Sequence, residues 1–143
     1  MAAAAETLPN LRGISTLLIE DNVDFRDAME TILQLCGART IPVSSISEAR
    51  ASLETAPPDI IVSDLVLPDG TGADFMDWLR DLPSQKGGAV AVVAVTAFPH
   101  YFPAVKTRGF AAYLVKPVDL SDLCWTVASI LGRGSRATSA PAP

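Results

Sequence analysis

The sequence has few of the residues that build zinc sites, disulfide frameworks or membrane spans. Its 143 residues include two cysteines, Cys36 and Cys124, which form no CxxC pair, and a single histidine, His100. Zinc ligands are therefore scarce, and both cysteines are predicted to be reduced thiols of the core. The longest apolar run, 89–95, is far shorter than the roughly 20 residues that a membrane helix requires.

The chain also has few positive charges, with 11 Lys and Arg residues against 16 Asp and Glu residues and a net charge of -5. Such a surface repels phosphate backbones, so we expect no direct nucleic-acid partner. The first residues lack the basic and apolar regions of a secretory signal, and we expect a cytoplasmic protein with no membrane association. The composition of 1–13 and 133–143 predicts disordered tails around one domain at 14–132.

Five apolar, strand-like runs alternate with segments of helical periodicity, which is typical of βα units around a parallel sheet. Three runs are nearly continuous in Val, Ile, Leu and Ala, as in central strands covered by helices on both faces. The predicted fold class is α/β, a (βα)5 doubly wound parallel five-stranded sheet of the flavodoxin-like type with strand order 2-1-3-4-5. The predicted strands lie at 16–20, 40–43, 59–64, 90–96 and 112–116.

A helical segment follows each predicted strand. The clearest apolar stripe begins at Phe25 and ends before Gly37, which has the position of a glycine that terminates a helix, and Gly132 has the same position after the last helix. Ser47 is the predicted N-cap of a shorter second helix. The fourth segment, 98–109, contains two prolines and is predicted to keep only a short helix.

Five polar residues fall at the carboxyl ends of four of these strands. Glu20 and Asp21 end the first strand, Asp64 ends the third, Thr96 the fourth and Lys116 the fifth. In a sheet of this order, ligands bind beyond the carboxyl ends where the strand order reverses, between strands 1 and 3. The five side chains are therefore expected to meet at one edge of the sheet.

Taken singly, each of these residues has an ordinary explanation. Asp21 or Asn22 can cap the first helix, Asp64 and Lys116 can be turn residues, and Thr96 can be a common strand residue. Their joint location at one edge favours a functional site.

Three close carboxylates repel one another unless a cation compensates them. Mg²⁺ prefers oxygen ligands and is typically held by one or two carboxylates together with phosphate oxygens. With the metal held mainly by Glu20 and Asp21, the Asp64 carboxylate is free to attack a phosphoryl group and form an aspartyl phosphate. The Lys116 ammonium would neutralise charge on the transferring group, and the Thr96 hydroxyl could donate to one of its oxygens.

With these motifs in place, residues 15–131 resemble the receiver domain of bacterial two-component response regulators. The resemblance lies in the order and spacing of several short motifs, none of which is specific alone. They are Glu20-Asp21, Asp64 followed by Leu67-Pro68 and Gly72, Thr96-Ala97, and Tyr113 three residues before Lys116-Pro117.

This resemblance implies a phosphorylation-controlled signalling switch that is not an enzyme beyond its own phosphoryl chemistry. Asp64 would accept phosphoryl from a phosphohistidine of a sensor histidine kinase or of a histidine phosphotransfer protein. The backbone carbonyl of Val66 would join Glu20, Asp21 and Asp64 around Mg²⁺. The protein would then bind a downstream protein target whose identity is unknown, or form a phosphorylation-dependent homodimer.

Two residues have roles in the switch by the same resemblance. Thr96 would move toward the phosphoryl group while Tyr113 turns inward, although Tyr113 can also be a core aromatic with a solvated hydroxyl. Trp125 lies off the apolar stripe of the last helix, so it is either a partner contact or a ring lying over the fourth helical segment.

The resemblance also bears on how long the phosphoryl group lasts. Val66 and Phe98 occupy the positions that flank the path of the hydrolytic water, and both are apolar. We therefore expect slow self-dephosphorylation, because neither side chain can orient a water molecule. The segment between Thr96 and Lys116 is slightly shorter than in the family. No output domain follows Gly132, so a stand-alone or an excised receiver is expected.

Two other function classes remain open. One is a Mg²⁺-dependent phosphatase of the haloacid dehalogenase type, which also forms an aspartyl phosphate but places a DxD motif after strand 1, where this chain has IEDNVD. The other is a receiver fold that binds proteins without accepting phosphate.

Overall fold

The computed structural model describes residues 7–97 and 109–135, and a five-stranded parallel sheet forms its centre. The sheet order is β2-β1-β3-β6-β7, which confirms the predicted fold class and the order 2-1-3-4-5. A two-residue antiparallel hairpin, β4 with β5, lies just after β3. The strands are β1 (Ser15–Ile19), β2 (Arg39–Val43), β3 (Ile60–Asp64), β4 (Val66–Leu67), β5 (Gly70–Thr71), β6 (Ala91–Thr96) and β7 (Ala112–Val115).

Helices cover both faces of the sheet in the described part of the chain. They are α1 (Val23–Leu35), α2 (Ile46–Thr55), α3 (Gly72–Arg80) and α4 (Leu120–Ile130), with a 3-10 turn at Ser84–Lys86. Alternate residues of each strand point to opposite faces. Leu18 therefore packs in one cluster with Leu33 of α1 and Val127 of α4, while Leu17 packs in another with Leu53 of α2 and Phe75 of α3.

The ends of the helices agree with most of the predicted signals. Asn22 caps α1, since its side chain accepts a hydrogen bond from the Phe25 N–H. Gly37 and Gly132 follow α1 and α4 with positive φ angles of 101° and 71°. The N-cap of α2 is Ser45, and the prediction of Ser47 was wrong because Ser47 lies in the first turn of that helix.

The packed body begins before residue 14, so the prediction of a tail at 1–13 was wrong for residues 7–13, which we call the N-terminal arm. Leu11 is fully buried, and its N–H donates to the Cys36 carbonyl at 2.7 Å. The Trp125 indole N–H donates to the Thr7 carbonyl at 3.0 Å. At the other end, the Arg133 N–H still bonds the last turn of α4. Residues 1–6 and 136–143 lie outside the described ranges.

Both cysteines are buried free thiols, as predicted. They lie in the same apolar cluster, where Cys36 ends α1 and Cys124 belongs to α4. Burial, together with the neighbouring Cys36 thiol, raises the pKa of Cys124, so this sulfur is poorly nucleophilic. Among residues 7–97 and 109–135, no helix is long and apolar enough to cross a membrane.

Candidate functional site

The register of the parallel strands aligns the residues that were predicted to form a site. Ile19 of β1 is the Cα partner of Ser63 in β3, and Thr96 of β6 is the partner of Val115 in β7. The next residues along β1, β3 and β7 are Glu20, Asp64 and Lys116. Three residues distant in sequence therefore share one edge of the sheet.

The three acids form a compact cluster at this edge. One carboxylate oxygen from each of Glu20, Asp21 and Asp64 lies within 4.8 Å of the others. Glu20 is fully buried and Asp64 is 8% exposed, whereas Asp21 faces solvent. Burying carboxylates at such distances is unfavourable without a compensating positive charge.

Lys116 supplies one such charge from the end of β7. Its ammonium lies 2.7 Å from Glu20 Oε1 and 3.0 Å from Asp64 Oδ2. Burial disfavours the charged ammonium, but its hydrogen bonds with Glu20 and Asp64 outweigh burial and raise the pKa of Lys116. Burial, reinforced by the charge of Asp64, raises the pKa of Glu20 despite the contact with Lys116.

The second oxygen of each buried acid accepts a backbone hydrogen bond. The Asn22 N–H donates to Glu20 Oε2 at 3.1 Å, and the Val66 N–H donates to Asp64 Oδ1 at 3.2 Å. The first turn of α1 is also tied to the end of β1, because Arg26 Nη1 donates to the Glu20 carbonyl at 2.9 Å.

The donor set suits Mg²⁺. Three carboxylates face one ammonium in the described part of the chain, so the cluster keeps an excess of negative charge. Glu20 Oε1 is buried and lies 2.7 Å from Lys116 Nζ, a single contact that leaves this oxygen able to bind a metal as well. Hard oxygen ligands with unused lone pairs beside an exposed carboxylate, Asp21, are what a partly hydrated Mg²⁺ ion binds.

The residues predicted to act in the switch lie on β6 and β7. Thr96 ends β6 and is 1% exposed, and its carbonyl accepts the Lys116 N–H at 2.8 Å. Tyr113 is 40% exposed on the edge strand β7, so it points outward here and is not a core aromatic. The Val66 side chain is 48% exposed, while Phe98 lies outside the described residues.

Gly72 is needed for the close packing of α3 on the end of β3. A Cβ atom at this position would lie 2.9 Å from the Asp64 carbonyl oxygen and 2.8 Å from Leu65 Cδ2. Any side chain would therefore displace the backbone that carries Asp64. This contact explains why a glycine follows the predicted turn.

Two residues that support the site were not singled out from the sequence. The Phe25 ring lies under Lys116, with Nζ 4.8 Å from the ring centroid. Asp69, in the turn between β4 and β5, accepts hydrogen bonds of 2.9 Å from the N–H groups of Ile46 and Ser47. Phe25 looked like one member of the apolar stripe of α1, and Asp69 looked like a turn residue, so the sequence carried no separate signal for either role.

Comparisons with known proteins agree with this geometry. The profile of the response regulator receiver domain matches residues 16–128. The polar-differentiation response regulator DivK of Brucella ovis is 30% identical over 120 residues, which cover 82% of this chain and 96% of DivK.

Solved structures give the same result. A CheY-like receiver domain from Methylobacillus flagellatus has 28% identity and a TM-score of 0.73, with 87% of this chain and 99% of that chain covered. The receiver domain of a sensor histidine kinase from Pseudomonas aeruginosa has 28% identity and a TM-score of 0.75, with 84% and 98% covered. That structure has a magnesium ion coordinated in its active-site cleft.

Proposed function

This chain belongs to the response regulator receiver domain family, and from that premise we propose that it is a signalling switch controlled by phosphorylation of Asp64. Receiver domains are typically phosphoacceptors rather than enzymes. The observation that carries the proposal is the placement of Asp64, whose carboxylate lies at the open edge of the sheet with an ammonium at 3.0 Å and two further carboxylates beside it.

Phosphoryl transfer would follow from the arrangement of charges around Asp64. A carboxylate oxygen attacks phosphorus in line, and the bond from phosphorus to the donor nitrogen breaks, leaving the electron pair on the donor imidazole. The Lys116 ammonium, 3.0 Å from Asp64 Oδ2, would bind the added negative charge. The donor in this proposal is a phosphohistidine of a sensor kinase or of a histidine phosphotransfer protein in the cytoplasm.

Mg²⁺ would be held by Glu20, Asp21, Asp64 and the carbonyl of Val66. When bound, it neutralises charge on the transferring phosphoryl group. Glu20 is held in place from both sides by the Asn22 and Arg26 hydrogen bonds. The protein thus presents a fixed set of oxygens, while the exposed Asp21 completes the set from the solvent side.

The signal would be a change at Thr96 and Tyr113. The phosphoryl group adds hydrogen-bond acceptors beside Thr96, whose movement makes room for Tyr113 to turn inward from its exposed position. The surface of β7 and α4 would then differ between the two states. A protein target, or a second copy of this chain, would bind one state better than the other.

The test is incubation with Mg²⁺ and acetyl phosphate, followed by intact mass measurement and peptide mapping. Wild type should gain one phosphoryl group at Asp64, and Asp64→Asn should gain none, because an amide is not a nucleophile here. Asp27→Asn, which changes an exposed acid of α1, is the matched control and should label like wild type. Equal labelling of wild type and Asp64→Asn would contradict the proposal, and catalytic turnover of an external phosphate ester would favour the phosphatase class instead.

Slow loss of the phosphoryl group is a second part of the proposal. Val66 is apolar and half exposed beside the acceptor, so its side chain cannot orient a hydrolytic water by hydrogen bonding. Wild type should lose phosphate more slowly than Val66→Asn and Phe98→Glu after the donor is removed in the presence of Mg²⁺. A wild-type decay as fast as that of either variant would show that the apolar side chains do not protect the acyl phosphate.

A further inference from the structure

The ring of Phe25 contacts the Lys116 ammonium. Nζ lies 4.8 Å from the ring centroid, within the range of a cation–π interaction. The same ammonium contacts Glu20 Oε1 and Asp64 Oδ2. The ammonium is therefore bound by two carboxylates and by one aromatic face.

Hydrogen bonds hold the backbone around Phe25, and packing limits the positions that its ring can adopt. Its N–H donates to the Asn22 side chain at 2.9 Å, which closes the cap of α1. The next residue, Arg26, donates to the Glu20 carbonyl and ties the same turn of α1 to the end of β1. The ring also packs against the apolar cluster under α1 and α4, which restricts its rotation.

The ammonium occupies oxygens that a metal would need. Glu20 Oε1 and Asp64 Oδ2 face Lys116, while Glu20 Oε2 and Asp64 Oδ1 accept backbone N–H groups. A dication bound at Glu20 Oε1 or Asp64 Oδ2 would lie close to the ammonium and be repelled by it, so metal binding is favoured when the ammonium moves away. Whatever stabilises the ammonium in this position therefore weakens metal binding.

We infer that Phe25 is a positioning residue that holds the Lys116 ammonium on Glu20 and Asp64 and thereby sets the affinity of the acidic cluster for Mg²⁺. The metal part of this inference rests on the proposed function, whereas the position of the ammonium does not. Loss of the ring removes one of the three contacts that hold the ammonium beside the carboxylates. Since cation–π contacts at partly exposed sites are weak, the metal affinity should rise by about two- to fivefold.

The first experiment reads the contact without metal or phosphodonor. Proton NMR of the free protein should show the ε-methylene protons of Lys116 shifted upfield by the ring current of Phe25. The shift should be lost in Phe25→Leu and kept in Phe25→Tyr, which retains the aromatic face. A wild-type Lys116 signal equal to that of Phe25→Leu would overturn the inference.

The second experiment measures Mg²⁺ affinity by calorimetric titration. Phe25→Leu should bind Mg²⁺ about two- to fivefold more tightly than wild type, and Phe25→Tyr should bind like wild type. Phe110→Leu is the matched control, because Phe110 packs in the cluster on the opposite face of the sheet. Unchanged or weaker binding by Phe25→Leu would overturn the inference.

A double-mutant cycle assigns the effect to Lys116. In a Lys116→Gln background, Phe25→Leu should no longer change Mg²⁺ affinity, since there is no ammonium for the ring to hold. An effect that persists there would show that Phe25 acts through another group and would overturn the assignment. If the ring-current shift and the cycle behave as expected but Asp64 is not labelled by acetyl phosphate, the proposed function fails and the role of Phe25 stands.

Discussion

Lys116 contacts both the acidic cluster and the neighbouring strand β6. Its side chain contacts Glu20 and Asp64, while its backbone N–H bonds the Thr96 carbonyl at the end of β6. An ammonium that moves from carboxylates to a phosphoryl group would therefore change forces at both ends of this connection.

We expect Lys116→Ala to uncouple phosphorylation from the conformational change. The variant should still present Asp64 as a nucleophile, but the phosphoryl group would lack its point-charge partner. The measurement compares amide NMR shifts of Thr96 and Tyr113 before and after acetyl phosphate treatment in wild type and variant. Full wild-type shift changes in the phosphorylated variant would show that Lys116 has no part in the coupling.

Among single residues, the sequence indicated as site candidates those whose charge is unusual for their location. Glu20, Asp64 and Lys116 are charged groups at the ends of apolar runs, which strand order brings together. Phe25 is apolar in an apolar stripe, and its second contact depends on where Lys116 lies in three dimensions. Such a contact follows from the folded geometry and leaves no pattern of its own in the chain.

Asp69 joins the loop after Asp64 to the start of α2. Its carboxylate accepts the N–H groups of Ile46 and Ser47, so it provides a second cap for that helix in addition to Ser45. These two hydrogen bonds lower the pKa of Asp69 below the ordinary value of an aspartate. The loop and the helix are thus held together by a charged acceptor.

The contact between Asp69 and the start of α2 should make the free energy of unfolding depend on pH. A lowered folded-state pKa stabilises the protein above the unfolded pKa, about 3.9, and the contribution is lost as the pH falls through the folded value. Asp69→Asn should therefore unfold more easily than wild type near neutral pH, and the difference should shrink as the pH falls below about 4. Urea unfolding at several pH values checks this, and a gap that is constant across the range would contradict it.

The elements themselves were predicted more accurately than their ends. Every predicted strand of the main sheet lies within one residue of the structure, because apolar runs of this length have few other buried arrangements. The start of α2 was misplaced because Ser45 and Ser47 are equally good caps in sequence. The choice depends on Asp69, which is distant in the chain and occupies the N–H of Ser47.

The whole domain should become more stable when the acidic cluster binds a metal. A ligand that binds only the folded state adds about 2.7 kcal/mol to the free energy of unfolding at a hundredfold excess over its Kd. Mg²⁺ should therefore raise the Tm of wild type. In Asp21→Ala the rise should be smaller at the same concentration, because one ligand and one negative charge are gone.

Asp21 is suited to this test because it is exposed, so its removal leaves no buried cavity. Thermal unfolding with and without Mg²⁺ gives the change in Tm directly, and NaCl at the same ionic strength is the control. An equal Mg²⁺-dependent rise in wild type and Asp21→Ala would exclude Asp21 from the metal site.

The extent of the folded body was predicted less well than its centre. The N-terminal arm has only two large apolar side chains, Leu8 and Leu11, within a short polar and alanine-rich context, which resembles a tail. In the structure both pack against the cluster beneath α1 and α4, and Thr7 bonds Trp125. Trp125 is therefore already engaged on one side, which the pattern of α4 alone did not indicate.

The parallel order of the sheet also determines when the acidic cluster and Lys116 come together during synthesis. Thr16 of β1 pairs with Ile60 of β3, and Ala94 of β6 pairs with Tyr113 of β7, so the strands of the five-stranded sheet pair with partners distant in sequence. A ribosome releases Glu20 and Asp64 long before Lys116. Until β7 joins the sheet, the nascent chain carries the acids without their ammonium, and the charged groups at the sheet edge come together only after Lys116 has been synthesised.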